Sequence, residues 1–187
     1  ISRTFIHTYF RANIAYRTGR NEEALEILKQ IDHNENDFSD VIYSYLMGKI
    51  LLRKLDPKAG YYLARYLNHL EKKEYLKEMN YNLALFNLIN GNRQKYLTYC
   101  GIVKEKGMDL NERDREALYD VRLDYPPDVN LVKARLSLDG GYLDEFNNAM
   151  KSFEENHEEI LAYEIEYHLL KARYQALRKI KLVAISE

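Results

Sequence analysis

Five histidines, one cysteine and several runs of carboxylates are the groups in this 187-residue sequence that could do chemistry. His7, His33, His69, His157 and His168 never fall in a His-Glu-x-x-His pattern, which would set two imidazoles and a general base on one helical face. His157 and His168 occupy one helical segment and lie near the same face. They are 11 residues apart, about three turns, so they cannot share a metal ion and read as surface or boundary histidines. Cys100 sits on the apolar side of its segment, and the sequence proposes no base to activate it. It reads as a small hydrophobe, and as the only cysteine it excludes an internal disulfide framework and a cysteine-based zinc site. Asp32-His33-Asn34-Glu35-Asn36 opens like a calcium loop. The position that must be glycine is Asp37 and the one that must be glutamate is Tyr43, so it reads as an interhelix loop. Gly140-Gly141 follows a helical segment, not a strand, and lacks the Gly-Lys-Ser/Thr ending of a phosphate loop. Glu154, Glu155, Glu158 and Glu159 gather at a helix start, where the helix dipole favours them. No acid–base pair, nucleophile, metal site or cofactor site emerges, and the chain reads as a non-enzyme.

The elements that carry these residues are helical throughout. Phe5, Ile6, Tyr9, Ala12 and Tyr16 recur at three- and four-residue steps, and Thr18-Gly19-Arg20 interrupts them before Asn21-Glu22-Glu23 caps a second helix. A third helix runs from Ser39 or Asp40 to Leu55, and Asp56-Pro57 is an N-cap with a first-turn proline. Glu74 to Asn90 and Tyr96 to Val103 form a further pair about Asn90-Gly91-Asn92. Asn111 to Val121 fits a short extra helix ended by Pro126-Pro127. Leu131 to Leu138 and Phe146 to Phe153 flank Asp139-Gly140-Gly141, and a last helix spans 157–180. About ten helices and no strand are predicted. Hydrophobic residues make up 46% and charged residues 30%, an ordinary globular balance. The net charge of −1 gives no global field for nucleic acid or an anionic membrane.

Ala12, Gly48 and Ala84 are 36 residues apart in turn, and Ala134 and Ala172 are 38 apart. Glycine follows seven residues after Ala12, Ala84 and Ala134, at Gly19, Gly91 and Gly141. A period near 35 is the signature of a helical-hairpin solenoid. Small residues at these positions, followed by Ala24, Leu28 and Ile31, by Gly60, Ala64 and Leu67 (with the turn shifted onto Asp56-Pro57), by Tyr96, Cys100 and Val103, and by Phe146, Met150 and Phe153, resemble tetratricopeptide repeats. The run from Lys133 to Tyr142 is also similar to a stretch in uncharacterised tetratricopeptide-like proteins of Bacteroidetes bacteria. The resemblance implies an all-α, right-handed solenoid of antiparallel hairpins in one array over 1–187. The hairpins fall at about 3–32, 39–71, 74–106 and 128–154, with a final helix at 157–180 and an insert at 108–125.

In such an array the first helices line the concave groove. The repeat register sets Tyr9, Tyr45 and Tyr81 at equivalent positions, with Asn13, Lys49, Arg135 and Arg173 one turn on and Arg53 on the same stripe. This set is expected to grip a protein or peptide partner, since tyrosine and arginine give rigid, specific contacts; the alternative is that the tyrosines pack between neighbouring first helices. The expected function is therefore a non-catalytic scaffold or adaptor. Three other readings stay open: a self-associating array joined through Leu182-Val183-Ala184-Ile185, a helical platform of a larger protein, and a nucleic-acid-binding repeat protein using Lys171, Arg173, Arg178, Lys179 and Lys181. No membrane span is present in the pattern. Because Ile1 opens within a helical pattern, a longer natural chain is expected, cytoplasmic or periplasmic if a leader was removed.

Overall fold

The computed structural model describes residues 3–31, 38–69, 75–109, 111–123, 126–156 and 161–186, with side chains as far as 179. The calcium-like loop at 32–37, His157, Glu158, Glu159 and the side chains of 182–185 lie outside the described residues. Ten helices and no strand are present among them: α1 (Arg3–Arg17), α2 (Asn21–Lys29), α3 (Phe38–Arg53), α4 (Ala59–Asn68), α5 (Leu76–Ile89), α6 (Arg93–Glu105), α7 (Glu112–Val121), α8 (Val129–Gly140), α9 (Leu143–Asn156) and α10 (Leu161–Ser186). The protein is all-α, and α1 packs on α2, α3 on α4, α5 on α6 and α8 on α9 as sequential hairpins. Small residues allow the close approach. Ala12, Ala84 and Ala134 are fully buried, and a Cβ on Gly48 would stand 2.9 Å from Leu63 of the paired helix. Ala172 breaks this series, because it is exposed on α10.

The hairpin turns share one hydrogen-bond pattern. Gly19, Gly91 and Gly141 have φ of +74°, +76° and +81°, the left-handed region that glycine enters without a Cβ penalty. Each ends its helix with the paired bonds of a Schellman turn, such as Gly91 N–H to the Leu88 carbonyl at 3.0 Å and Asn92 N–H to the Asn87 carbonyl at 2.8 Å. The second hairpin corrects the sequence expectation that its turn is displaced to Asp56-Pro57. Leu55, seven residues after Gly48, takes φ +58° and makes the same pair of bonds, Leu55 N–H to Leu52 and Asp56 N–H to Leu51. A leucine does there what glycine does elsewhere, and its half-buried side chain packs on the core. Asp56 then accepts from the Lys58 N–H at 2.8 Å, and α4 begins at Ala59.

The 108–125 insert contains the expected extra helix, capped by Asn111 accepting from the Asp114 N–H at 2.9 Å. Its contribution to the fold is not visible in the periodicity. Asp114 is fully buried and accepts from the backbone N–H groups of Tyr75 at 3.0 Å and Glu78 at 2.9 Å. It thereby caps the N-terminus of α5, whose own N-cap residue, Tyr75, supplies no side-chain bond. Lys77 treats the other end of that hairpin similarly, donating to the Val103 carbonyl near the end of α6 at 2.6 Å.

The fourth hairpin folds back on the earlier ones. α8 packs on α3 and α5 as well as on α9 and α10, and the chain is apolar around it for that reason. Val132 and Leu136 join the main core built by the first three hairpins and α7. Leu131, Ala134 and Leu138 join a second core with Phe146, Met150, Phe153 and Leu170. The turn after α8 rests on the turn after α1: a Cβ on Gly141 would stand 2.5 Å from the Gly19 carbonyl oxygen. Beside it, the buried Asn21 amide donates to the Tyr142 hydroxyl and to the Ile50 carbonyl, both at 2.9 Å.

Candidate functional site

The fold-back covers the face that α1, α3 and α5 present together, and leaves a cleft of about 180 Å³ beneath α7 and α8. Tyr16 comes from α1, Lys49 and Arg53 from α3, Glu78, Tyr81 and Asn82 from α5, Arg113 and Asp120 from α7, and Arg135 and Asp139 from α8. Cations and carboxylates are thus interleaved. At one side Lys49 lies 2.5 Å from Glu78, and the two side chains are 11% and 10% exposed. The Tyr45 hydroxyl donates to Glu78 at 2.9 Å and accepts from Lys49 at 3.1 Å. Burial, reinforced by the Glu78 charge, pushes the Tyr45 phenol far above its usual range. Tyr45 also packs on the rings of Tyr66 and Tyr75, 5.2 and 5.6 Å away.

At the other side Arg135 faces Tyr81, Asp120 and Glu166. Burial pushes the Tyr81 phenol up, Arg135 opposes that push and Asp120 adds to it. Burial raises the Glu166 carboxyl, while Arg135, 3.8 Å away, works to lower it. Arg53 is placed differently. Its guanidinium lies 3.8 Å above the Tyr16 ring and donates to the Tyr16 carbonyl at 2.7 Å, a cation–π arrangement. Among the described residues no carboxylate pairs with it. Asn82 has its side-chain amide nitrogen shielded from solvent with no acceptor.

Of the residues expected on the groove, Lys49, Arg53, Tyr81 and Arg135 line this cleft, with Tyr45 bonded just behind Lys49. Tyr9 is half-buried and stacks on Phe5 at 6.3 Å; burial pushes its phenol up to about 12. Asn13 lies half-buried on α1, away from the cleft lining. Arg173 is held outside, 2.5 Å from Asp139. The structure adds Tyr16, Glu78, Asn82, Arg113 and Asp120. Glu78 is one turn before Tyr81 and was legible from that register; nothing in the repeat pattern points to α7. The cleft can pair charges and donate hydrogen bonds. Among the described residues no group of His, Cys, Asp and Glu is arranged to hold a metal, and no helix is long and apolar enough to cross a membrane. No family model, curated protein or solved structure matches the chain.

Proposed function

We propose that this protein is a non-catalytic protein–protein interaction scaffold, a tetratricopeptide-like array that receives an acidic side chain of its partner in the cleft. The observation that carries the reading is a cation and a free donor on the cleft wall: Arg53, whose partners among the described residues are the Tyr16 ring and main-chain carbonyl and no carboxylate, and the amide nitrogen of Asn82, which has no acceptor. A carboxylate is the guest that satisfies both, and a charge-assisted hydrogen bond is stronger than a neutral one. The cleft is the size of a side chain rather than a helix, so the partner's backbone stays at the mouth. The buried Ala12, Gly48, Ala84 and Ala134, one to a hairpin, support the array. Lys49 and Tyr45 support the site from behind, since their polar atoms are already committed to Glu78.

The test is selection of displayed random peptides on the protein, followed by calorimetry with a selected peptide. We expect enrichment of sequences with a required Asp or Glu. Binding should weaken about tenfold, or ~1.4 kcal/mol, in Arg53→Ala. Peptides without an acidic residue, or binding indifferent to Arg53→Ala, would refute the reading.

A further inference from the structure

α1 gives one side to the main core, through Phe5, Ala12, Ala15 and Tyr16, and turns a different kind of surface outward. On the opposite side Ile6, Phe10 and Ile14 follow one another at four-residue steps. They are 44%, 58% and 57% exposed, and the Tyr9 ring meets Phe10 edge-on, 6.1 Å away. Arg3, Arg11 and Arg17 are exposed on the same side. At about 100° per residue, these six positions fall within about 140° of arc. Among the described residues none of the three arginines has a hydrogen bond, an ion pair or a ring contact. α1 itself contains no carboxylate. The acids of the adjoining α2 are committed elsewhere: Glu22 to Lys54 at 2.6 Å, Glu23 to Arg20 at 2.8 Å and Glu26 to Lys29 at 2.8 Å.

We propose that this face of α1 lies on an anionic phospholipid surface, the helix parallel to the membrane plane, its arginines at the headgroup phosphates and its three apolar side chains at the acyl boundary. Charge and apolarity select this occupant together. A guanidinium takes two phosphate oxygens at once, which suits any phosphate-bearing target. Isoleucine and phenylalanine find nothing to bury against on a nucleic-acid backbone. Cations and apolar side chains are interleaved along the helix, so a layer with phosphate outside and hydrocarbon beneath satisfies both kinds in each turn. The arginine stems allow this, because they keep the charge at headgroup level while their neighbours reach deeper. With a net charge of −1 on the whole chain, the attraction is local to α1 and acts within a Debye length of about 8 Å. Tyr16, the α1 residue that lines the cleft, projects from the buried side of the helix, so the lipid face and the cleft are separate surfaces.

The test is flotation of the full chain with vesicles, either of phosphatidylcholine alone or with about one-third phosphatidylserine. We expect the chain to float with the anionic vesicles and not with the neutral ones, and to be released at about 1 M salt. Partition should fall about fivefold in Arg11→Gln, and about 100-fold when Arg3→Gln and Arg17→Gln are added. Phe10→Ser should lower it about tenfold. Helical circular dichroism should be unchanged in every variant, since all four positions are exposed. Absence of flotation with the anionic vesicles overturns the proposal, and so does flotation that survives the triple arginine variant or Phe10→Ser. If the vesicles are ignored, duplex DNA or polyglutamate bound through the same arginines assigns the face to a nucleic acid or an acidic protein instead. A mass that falls by half in Phe10→Ser, read by light scattering, assigns it to a second copy of the chain.

Discussion

Replacing Gly91 and Gly141 by alanine, one at a time, measures how firmly the fourth hairpin is seated on the first. The two glycines have φ of +76° and +81° and end their helices with the same hydrogen bonds. Forcing a side chain into the left-handed region costs about 1–2 kcal/mol, and the stiffer unfolded chain returns about 0.4–1 kcal/mol. Each substitution therefore carries a backbone cost of about 1 kcal/mol. At Gly91 nothing lies within 4 Å of the new Cβ, so that is the whole effect. At Gly141 the Cβ meets the Gly19 carbonyl oxygen at 2.5 Å, and neither backbone is a flexible tip that can turn aside. Overpacking adds about 1–3 kcal/mol, for a total of about 2–4 kcal/mol. Gly19→Ala is the control, because its nearest neighbour, the Asp139 carbonyl, stands at 3.5 Å, an ordinary contact, and it should behave like Gly91→Ala. Urea unfolding followed by circular dichroism reads all three. Equal midpoints for Gly91→Ala and Gly141→Ala would refute the contact between the two turns, and with it the seating of α8 over the first-helix face.

Asp114→Ala removes the cap that α7 supplies to α5 and takes the acceptor from the buried Glu78 N–H and the part-buried Tyr75 N–H; we expect a loss of about 2–4 kcal/mol in urea unfolding, and a loss under about 0.5 kcal/mol would show that the cap is dispensable. Burial pushes the phenols of Tyr9, Tyr43 and Tyr142 up to about 12, while an unfolded tyrosine ionises near pH ~10. The folded chain therefore keeps protons that the unfolded chain releases, so their contribution to stability is intact below pH ~10 and is lost as pH rises towards about 12. Tyrosinate absorbance should rise late and together with loss of helical dichroism, and full ionisation near pH ~10 with the helices intact would contradict the burial.

The helices were legible because their signals are local. Apolar residues at three- and four-residue steps, a glycine seven residues past Ala12, Ala84 and Ala134, and Asn92 and Asn111 as N-caps all act within one or two turns. Even the helix in the insert could be read, from Asn111 and the pattern after it. Leu55 was not, because sequence rules assign a left-handed turn to glycine, and here core contacts hold a leucine in that conformation. Asp114 was invisible for another reason: a carboxylate in one segment caps a helix that starts 38 residues earlier, at Leu76, and no periodicity encodes that. Of the expected stripe, Lys49, Arg53 and Tyr81 line one cleft with Tyr45 behind Lys49, and Arg135 reaches it from α8, whereas Tyr9, Asn13 and Arg173 lie outside its lining. Its covering by α7 and α8 depends on where the fourth hairpin returns, a long-range choice that follows from α8 being apolar on several sides.

The contact between the Gly19 and Gly141 turns also limits how this chain can change its length. Rows of helical hairpins joined only to their neighbours gain or lose units readily, since each interface is indifferent to how many lie beyond it. Here the amide of Asn21 meets the hydroxyl of Tyr142 across 121 residues of sequence, and that meeting occurs for one count of intervening hairpins. An inserted or deleted hairpin would carry the fourth turn past the first and cost the buried Asn21 amide one of its two acceptors, leaving it only the Ile50 carbonyl. The closure therefore acts as a molecular ruler, admitting substitutions within hairpins while holding their number fixed.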